Sequence, residues 1–524
     1  MKIKFIILVL LLSGLKINAQ IPASFDLRDV NGQNYITSVK NQQGGNSWTF
    51  AVCASAESNL LINENWASAG ESGEPDLAEY HIDWWNGFNS FNNDDVGGTN
   101  SGGFAEHSGG NFSVATAYLS RGEGFVRDID GQSYNTPPER YNPDFHYWYA
   151  FEIENYIIDD VLNGIDTLKS KIMQKGAAAT AICYDASFID VNYNHYQPGS
   201  NNSVSNHAVA IIGWDDNHAV PAAPANGAWL AKNCWGLAWG NEGYFWISYY
   251  DKYTLKTDET GAHFFAGIDA LPYDIIYYHD YHGRQDVMTS CDSVFNAFHA
   301  KENVRLKAVS FFTESENVDF TVKVYGAFDE TDLTHLKNSV SGTILHKGFH
   351  TVNLSGNTPI NNGENFYVLL SLSDKKYAYD RTSDITLTYG GKGAKNVIES
   401  IALTGESYYS QSGQWADFYD YSDPSGFEQS GNFCLKVLTN YNENIGINKT
   451  EKNIMIYPNP VKDVIFIESE ENGICKIYDL SGRCVLSKKL TDQGRIDISI
   501  LQKGVYFLRF FGNSSNLTKK IIIQ

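Results

Sequence analysis

From about residue 263 to residue 440, no segment repeats its apolar residues at helical spacing. VRLKAVSFFT, DFTVKVYGAF, NFYVLLSLS and NFCLKVLT are short runs rich in β-branched and aromatic residues, bounded by Asn, Gly, Ser and Asp. That spacing predicts an all-β sandwich. Residues 20 to 262 have a different texture. SWTFAVCASAESNLLINEN, opening at Ser47, sets small and apolar residues at helical spacing. IDTLKSKIMQ (165–174) predicts an amphipathic helix, and GAAATAICYD (176–185) a buried strand after its Gly stop. WLAKNCWGLAWGNEGYFWISYY (229–250) alternates like strands broken by Gly turns. A polar connector, NYNENIGINKTEKN (440–453), leads to a last set of short strands ending at KKIIIQ, read as a small β-sandwich. The expected class is α+β, with a mixed first domain followed by two all-β ones.

A chain of 524 residues is too long for one ordinary core, which agrees with three parts. Its formal charge of −22 argues against a nucleic-acid partner held through phosphates. MKIKFIILVLLLSGLKINAQ reads as a secretory signal, residues 1–19: Lys2 and Lys4 begin it, an apolar run too short to span a bilayer follows, and Ala19 ends a cleavage site. No other stretch approaches a transmembrane length. Seven cysteines do not make a disulfide framework, so mostly free, buried thiols are expected. Cys475 and Cys484 flank a turn at Leu480–Gly482, which would not set them opposite each other. No CxxC or His-cluster spacing suggests a metal, and no cofactor is expected.

Three pieces of the first domain carry chemistry. In VKNQQGGNSWTF (39–50), Ser47 stands on the first turn of a helix, where the helix dipole favours a negatively charged nucleophile. Gln42 upstream supplies one donor for an oxyanion, the other being the backbone N–H of the nucleophile. SNHAVAIIGWDDN (205–217) is a strand carrying His207, the candidate base. KNCWGLAWGNEGYF (232–245) carries Asn233, whose carbonyl can fix the His tautomer, with Trp235 and Trp239 beside it to keep water off that bond.

Together these pieces resemble the papain-like cysteine peptidases, from IPASFDLRD (21–29) to GYFWISY (243–249). The resemblance implies a two-lobed α+β fold and peptide-bond hydrolysis, with Ser47 in the nucleophile position, His207 as base, Asn233 as orienter and Gln42 as oxyanion donor. It also implies that Gly109 and Gly110, within HSGGNFSVATAYLSRGEG, bind the substrate backbone with Trp235 nearby. His207 and Asn233 lie farther from Ser47 than the roughly 130–150 residues usual in the family; the aromatic insertion DWWNGFNSFNNDDVGGTNSGG (83–103) accounts for the excess. Ser47 stands where the family has Cys. The loop from Gln42 is one residue shorter than the common form, which leaves Gln43 as the other choice of oxyanion donor. Cys234 stands where the family usually has Ser, and no inhibitory pro-segment separates the signal from IPASFDLRD. A Ser hydroxyl is a far weaker acid than a thiol, so it cannot form the thiolate–imidazolium pair and must give its proton to His207 during attack. The expected protein is a weak or degenerate peptidase. The alternatives are a true serine-type hydrolase, Cys234 as a substitute thiol, or a non-catalytic peptide- or glycan-binding surface protein.

Ordinary packing competes with each functional reading. Trp84, Trp85, Phe88 and Phe91 are read as packing of the insertion, His279 and His282 as structural, and Cys53 and Cys183 as small buried hydrophobes. The 263–440 region, through YYHDYHG, AVSFFT, YDRTSD and NFCLKVLT, resembles the lectin-like domain that follows the peptidase in some bacterial papain-family proteins. That implies carbohydrate as a partner, and WADFYDYSDPSG (415–426) is either a stacking surface for it or a tyrosine-rich loop, the reading placed first. IYPNPVKDVIFIE, IYDLSGRCV and IDISILQKGVYFLRF resemble the C-terminal sorting domain of the type IX secretion system. This implies contact with that machinery and a secreted or surface-attached protein of a Gram-negative bacterium, with Asp463 and Gly504 as turn residues. The expected divisions are 1–19 signal, 20–262 peptidase-like, 263–440 lectin-like, 441–452 linker and 453–524 sorting domain.

Overall fold

The computed structural model describes residues 21–97, 103–158, 164–386, 395–442, 455–468, 473–478, 484–490, 493–512 and 516–524. The signal segment, residues 98–102 of the 83–103 insertion, most of the linker and the turn at Leu480–Gly482 lie outside them. The chain divides into two compact units, 1–443 and 444–524. No described helix is long and apolar enough to cross a membrane.

In the first unit, helix α1 (Ser47–Ile62) has all its residues buried except the last two, so it is a core helix without a polar face. Short helix α2 (Glu79–Trp85) and helix α3 (Phe112–Ser120) pack beside it. The Asn111 side chain caps α3 by accepting from Val114 N–H at 2.9 Å. Strand β1 (Trp148–Tyr156) follows, then helix α4 (Ile165–Lys175), which buries Ile165, Leu168, Lys169 and Ile172 along one stripe. Gly176, at φ +99°, stops it where the sequence places a stop.

Strands β2 (Ala178–Ile182), β3 (His207–Asp215), β4 (Ala228–Lys232), β5 (Tyr244–Ser248) and β6 (Ala262–Ala270) form a mainly antiparallel sheet. One core joins α1 and α3 to β1; a second lies between α4 and β2–β6. These are the two lobes of the first part.

The remainder of the first unit is β-structure: β7 (Ser293–His299), β8 (Val304–Thr313), β9 (Val318–Phe328), β10 (Leu333–Ile344), β11 (Gly348–Ile360), β12 (Asn365–Leu372), β13 (Ser407–Gln411), β14 (Gln414–Asp417) and β15 (Lys436–Tyr441). Six of these make one sheet, in the order β10–β9–β12–β7–β13–β14. The other three continue the sheet of the first part. β11 pairs with β1 at Gly348↔Glu154, Phe349↔Ile153 and His350↔Glu152, so a 12-stranded sheet runs from one part into the other. The core around α1 accordingly includes Phe312, Phe349, Cys434 and Leu438.

Among the described residues the second unit is all β, with sheets of three and four strands around Ile465, Ile477, Ile496, Leu508 and Ile521. Gly504 opens the strand Gly504–Gly512 and pairs with Ile523, so it is a strand residue and not a turn residue. Cys475 lies opposite Lys488 and Cys484 opposite Tyr478, and all seven cysteines are free, with only Cys484 exposed.

Candidate active site

The local chain path brings Gln42, Ser47, His207, Asn233, Cys234 and Trp235 together. Ser47 opens α1, and its buried Oγ accepts from Ala208 N–H at 3.1 Å, which seats it against the start of β3. His207 is the first residue of that strand. Its Nε2 lies 2.8 Å from Asn233 Oδ1, just beyond the end of β4. Cys234 N–H also donates to Asn233 Oδ1 at 2.8 Å, so the amide orientation is set by two donors.

This fixes the tautomer. A carbonyl oxygen only accepts, so the His207 proton sits on Nε2 and Nδ1 keeps its lone pair. Burial pushes the His207 pKa down to about 4, with the Asn233 hydrogen bond opposing that shift and His195 adding to it. The ring is therefore neutral at pH 7, as a general base requires. Trp235 stacks on it at 4.3 Å between centroids and 26° between planes. Among the described residues no hydrogen bond joins Ser47 Oγ to His207; such contacts commonly tighten only with substrate.

Gln42 is held from three sides. Its Oε1 accepts from Cys234 Sγ at 2.9 Å and from Trp235 Nε1 at 3.1 Å, and its Nε2 donates to Gly44 O at 2.8 Å. Its backbone N–H donates to Cys234 O at 2.8 Å. Gln43 differs, since it is its backbone N–H that is used, donating to the Tyr80 hydroxyl at 2.8 Å. The Cys234 thiol is buried, already engaged as a donor, and pushed up in pKa by burial. A thiolate nucleophile needs the opposite surroundings.

Beneath Asn233 and Cys234 lies a buried ionic network. Lys40 Nζ reaches Glu57 at 3.0 Å and Asp76 and Glu79 at 2.7 Å, while Lys232 donates to Thr37 Oγ1 at 3.0 Å. Burial raises Glu79 to about 7 and lowers Lys232. Of these, Lys40, Glu57, Glu79 and Lys232 line, with Asn233 and Cys234, a cavity of about 20 Å³, space for one water.

Gly109 and Gly110 are buried on the loop before α3. A Cβ at Gly110 would stand 2.5 Å from Trp48 Cε2, so the missing side chain there answers to the core behind the loop. The same loop carries His107, which sequence reasoning passed over. Gly45 N–H donates to His107 O at 2.8 Å, Asn46 Nδ2 to Asp83 Oδ2 at 3.0 Å, and His107 Nδ1 contacts that same Asp83 oxygen. The stretch leading into Ser47 is thereby fastened to the insertion. Its one sequence signal is Gly44, at φ +68°, where a Cβ would meet His107 and the Tyr134 hydroxyl at 3.0 Å.

Trp84 and Phe88 are buried, and Trp85 and Phe91 pack partly buried against Trp84 and its neighbours. Cys53 and Cys183 are buried as expected. His279 and His282 lie in the β-rich part. His279 bonds Ala297 O at 2.8 Å, and His282 bonds Ser400 Oγ at 2.6 Å and Gly87 O at 3.0 Å. Asp95, His282 and Asp380 bring possible ligand atoms within 4.8 Å of one another. Those atoms already serve the protein: Asp95 accepts from Ile401 N–H at 2.9 Å and Asp380 from Asn432 N–H at 3.0 Å.

A two-lobed α+β part with a Ser–His–Asn constellation at the lobe junction, followed by a β-sandwich, defines the papain-like architecture. The chain carries a papain family cysteine protease domain matched over residues 98–262, a lectin like domain over 276–439 and a secretion system C-terminal sorting domain over 455–524. The clostridial cysteine protease Cwp84 after propeptide cleavage has the same fold, with a TM-score of 0.64 and 22% identity over 80% of this chain and 99% of that one. The cysteine protease and lectin-like domains of Cwp84, a surface layer associated protein of Clostridium difficile, align with a TM-score of 0.63 at 22% identity, over 80% of this chain and 89% of that one. Curated relatives include a viral cathepsin of Lymantria dispar multicapsid nuclear polyhedrosis virus, 28% identical over 43% of this chain and 53% of the relative. Human cathepsin O is 28% identical over 43% of this chain and 61% of its own length. The chain thus spans about half the length of the curated relatives it matches. The sorting domain indicates secreted or cell-surface localisation.

Proposed function

We propose that the chain is a papain-family peptidase homologue that hydrolyses peptide bonds weakly, with Ser47 in place of the cysteine nucleophile. His207 takes the hydroxyl proton at Nδ1, Asn233 holds its ring, and Gln42 with the Ser47 backbone N–H faces the oxyanion. Gly109, Gly110 and Trp235 form the substrate wall. The observation that carries this reading is the 2.8 Å bond from His207 Nε2 to Asn233 Oδ1, which leaves the free lone pair on Nδ1. That lone pair can take the Ser47 proton once substrate draws the hydroxyl to it, whereas a hydroxyl in a site shaped for sulfur is a poor nucleophile. The proposed divisions are a peptidase-like domain at 20–262, a carbohydrate-facing lectin-like domain at 263–440 and a sorting domain at 453–524. The last addresses the protein to the type IX machinery of a Gram-negative bacterium after a signal at 1–19.

Digestion of a peptide library by the purified protein and by Ser47→Cys tests the site. The cysteine variant is expected to cleave about 10²-fold faster or more, the scale of one lost transition-state contribution, and to be alkylated by a thiol-directed epoxide. A folded Ser47→Cys protein that neither cleaves nor reacts refutes the assignment.

A further inference from the structure

We propose that the outer face of the six-stranded sheet, centred on Trp415 and Tyr408, binds neutral carbohydrate by stacking pyranose rings on its aromatic side chains. The inference rests on the reading of the sandwich as the carbohydrate-facing part, and is independent of whether Ser47 cuts.

Strand register separates the two faces. Phe295 lies opposite Tyr408 and Leu369, Ala297 opposite Tyr367, and Tyr408 opposite Asp417. Side chains alternate along a strand, so Trp415 shares the face of Asp417, Tyr408 and Phe295. Their sequence neighbours Val294, Val368 and Leu370 point the other way, into the sandwich core. Phe295 is fully buried, yet it belongs to none of the hydrophobic cores. What covers it is a layer of half-buried aromatics. Tyr408 stacks on it at 4.6 Å and 13°, Trp415 meets it edge-on at 4.7 Å, Phe328 at 4.9 Å and Tyr367 at 6.0 Å.

A second aromatic layer on the solvent side of a sheet, serving no core, is a rigid platform with one apolar and one wet side. Its polar rim selects the ligand. Both oxygens of Asp417 are anchored, by Gly405 N–H at 2.7 Å and Tyr419 N–H at 3.1 Å, and each retains a lone pair for a hydroxyl. Asp417 lies directly across from Tyr408 in the strand register, which puts its carboxylate beside the ring. Such a rim repels polyanions, as does the net charge of −22. Lys323, in the same cross-strand row as Leu369, opposes a polycation. A neutral sugar, with a C–H face for the rings and hydroxyls for the carboxylate, matches both features. The stretch WADFYDYSDPSG is divided accordingly: Trp415 faces outward, while Phe418 is buried with Tyr421 stacked on it at 5.2 Å.

Titration calorimetry of the full chain against laminarin, mannan, agaro-oligosaccharides, alginate and poly-L-lysine tests this. At least one neutral glycan is expected to bind in a salt-insensitive way, about tenfold or more weaker in Trp415→Ala and close to wild type in Trp415→Phe. Should Trp415→Ala lower Tm, Tyr367→Ala on the same face gives a separate measure, with an expected loss of severalfold. No binding by any neutral glycan, undiminished binding in both alanine variants, or binding confined to alginate or poly-L-lysine overturns the proposal. Peptide cleavage measured on Ser47→Cys with Trp415→Ala stays at the Ser47→Cys level if the platform alone is affected, which keeps the two readings separable.

Discussion

Trp235 stands on both sides of the site chemistry at once: its ring covers His207 at 4.3 Å, while its Nε1 donates to Gln42 Oε1 at 3.1 Å. One side chain thus shields the proposed base and sets the proposed oxyanion donor, and the two roles are separable by substitution.

In the Ser47→Cys background, Trp235→Phe keeps a ring over His207 but removes the donor to Gln42. One neutral hydrogen bond contributes about 0.5–1.5 kcal/mol, so kcat is expected to fall by about 2–10-fold with KM little changed. Trp235→Ala removes the cover as well and is expected to cost more. Equal losses for the two variants would show that the ring cover contributes nothing, and an undiminished kcat in Trp235→Phe would show that the Gln42 contact contributes nothing.

The pH response follows from His207. Its pKa is lowered to about 4 by burial, so the neutral base is present above pH 4 and is lost as pH falls through that value. Wild-type kcat/KM should therefore have its acid limb near pH 4, not near the unperturbed value of about 6.5. The same shift makes a stability contribution that is full above about pH 6.5 and declines as pH falls toward 4. NMR titration of the His207 ring in wild type, compared with a His207→Gln variant for assignment, checks it. An inflection near 6.5 would mean the ring is solvated.

Gly110→Val is expected to act through the fold. The added side chain enters Trp48 from 2.5 Å, and overpacking of this kind costs about 1–3 kcal/mol or more. Thermal unfolding should show a clear drop in Tm even with the cleft empty. An unchanged Tm, with peptide binding lost, would return Gly110 to a purely substrate-facing role.

Truncation separates the two compact units. A cut after Thr439 would remove Asn440 and Tyr441, which pair with Arg305 and Val304, and so damages β8–β15. A chain ending at Glu443 keeps that ladder and is expected to retain the Tm of the first unit while failing to reach the cell surface. Surface delivery without residues 444–524 would refute the sorting role.

Much of this organisation is legible in the residues, because local signals and tertiary fate agree. VRLKAVSFFT becomes β8 residue for residue, and Gly176 ends α4 where the turn chemistry places it. The hairpin of β9 and β10 is not legible in that way. Most of β10 is exposed, so it carries no apolar alternation, and as an edge strand it pairs, among the described residues, only with β9, the strand just before it. The same limit hides the Asn46–Asp83–His107 contact, since three residues so far apart in sequence leave no spacing to read. Gly110 is legible as a glycine with a purpose, but the purpose visible in the fold is Trp48.

The pairing of Phe349 with Ile153 makes the sandwich and the peptidase-like lobes a single mechanical body. A hinged two-domain protein searches for its substrate through the reach of a tether, and its local substrate concentration falls as the tether lengthens. Here no such search exists. The continuous sheet makes the distance between the aromatic face and the Ser47 cleft a constant of the fold. Under the proposed roles, a glycan-bearing chain held at one end would present to the cleft only those peptide segments that lie one set length from the sugar.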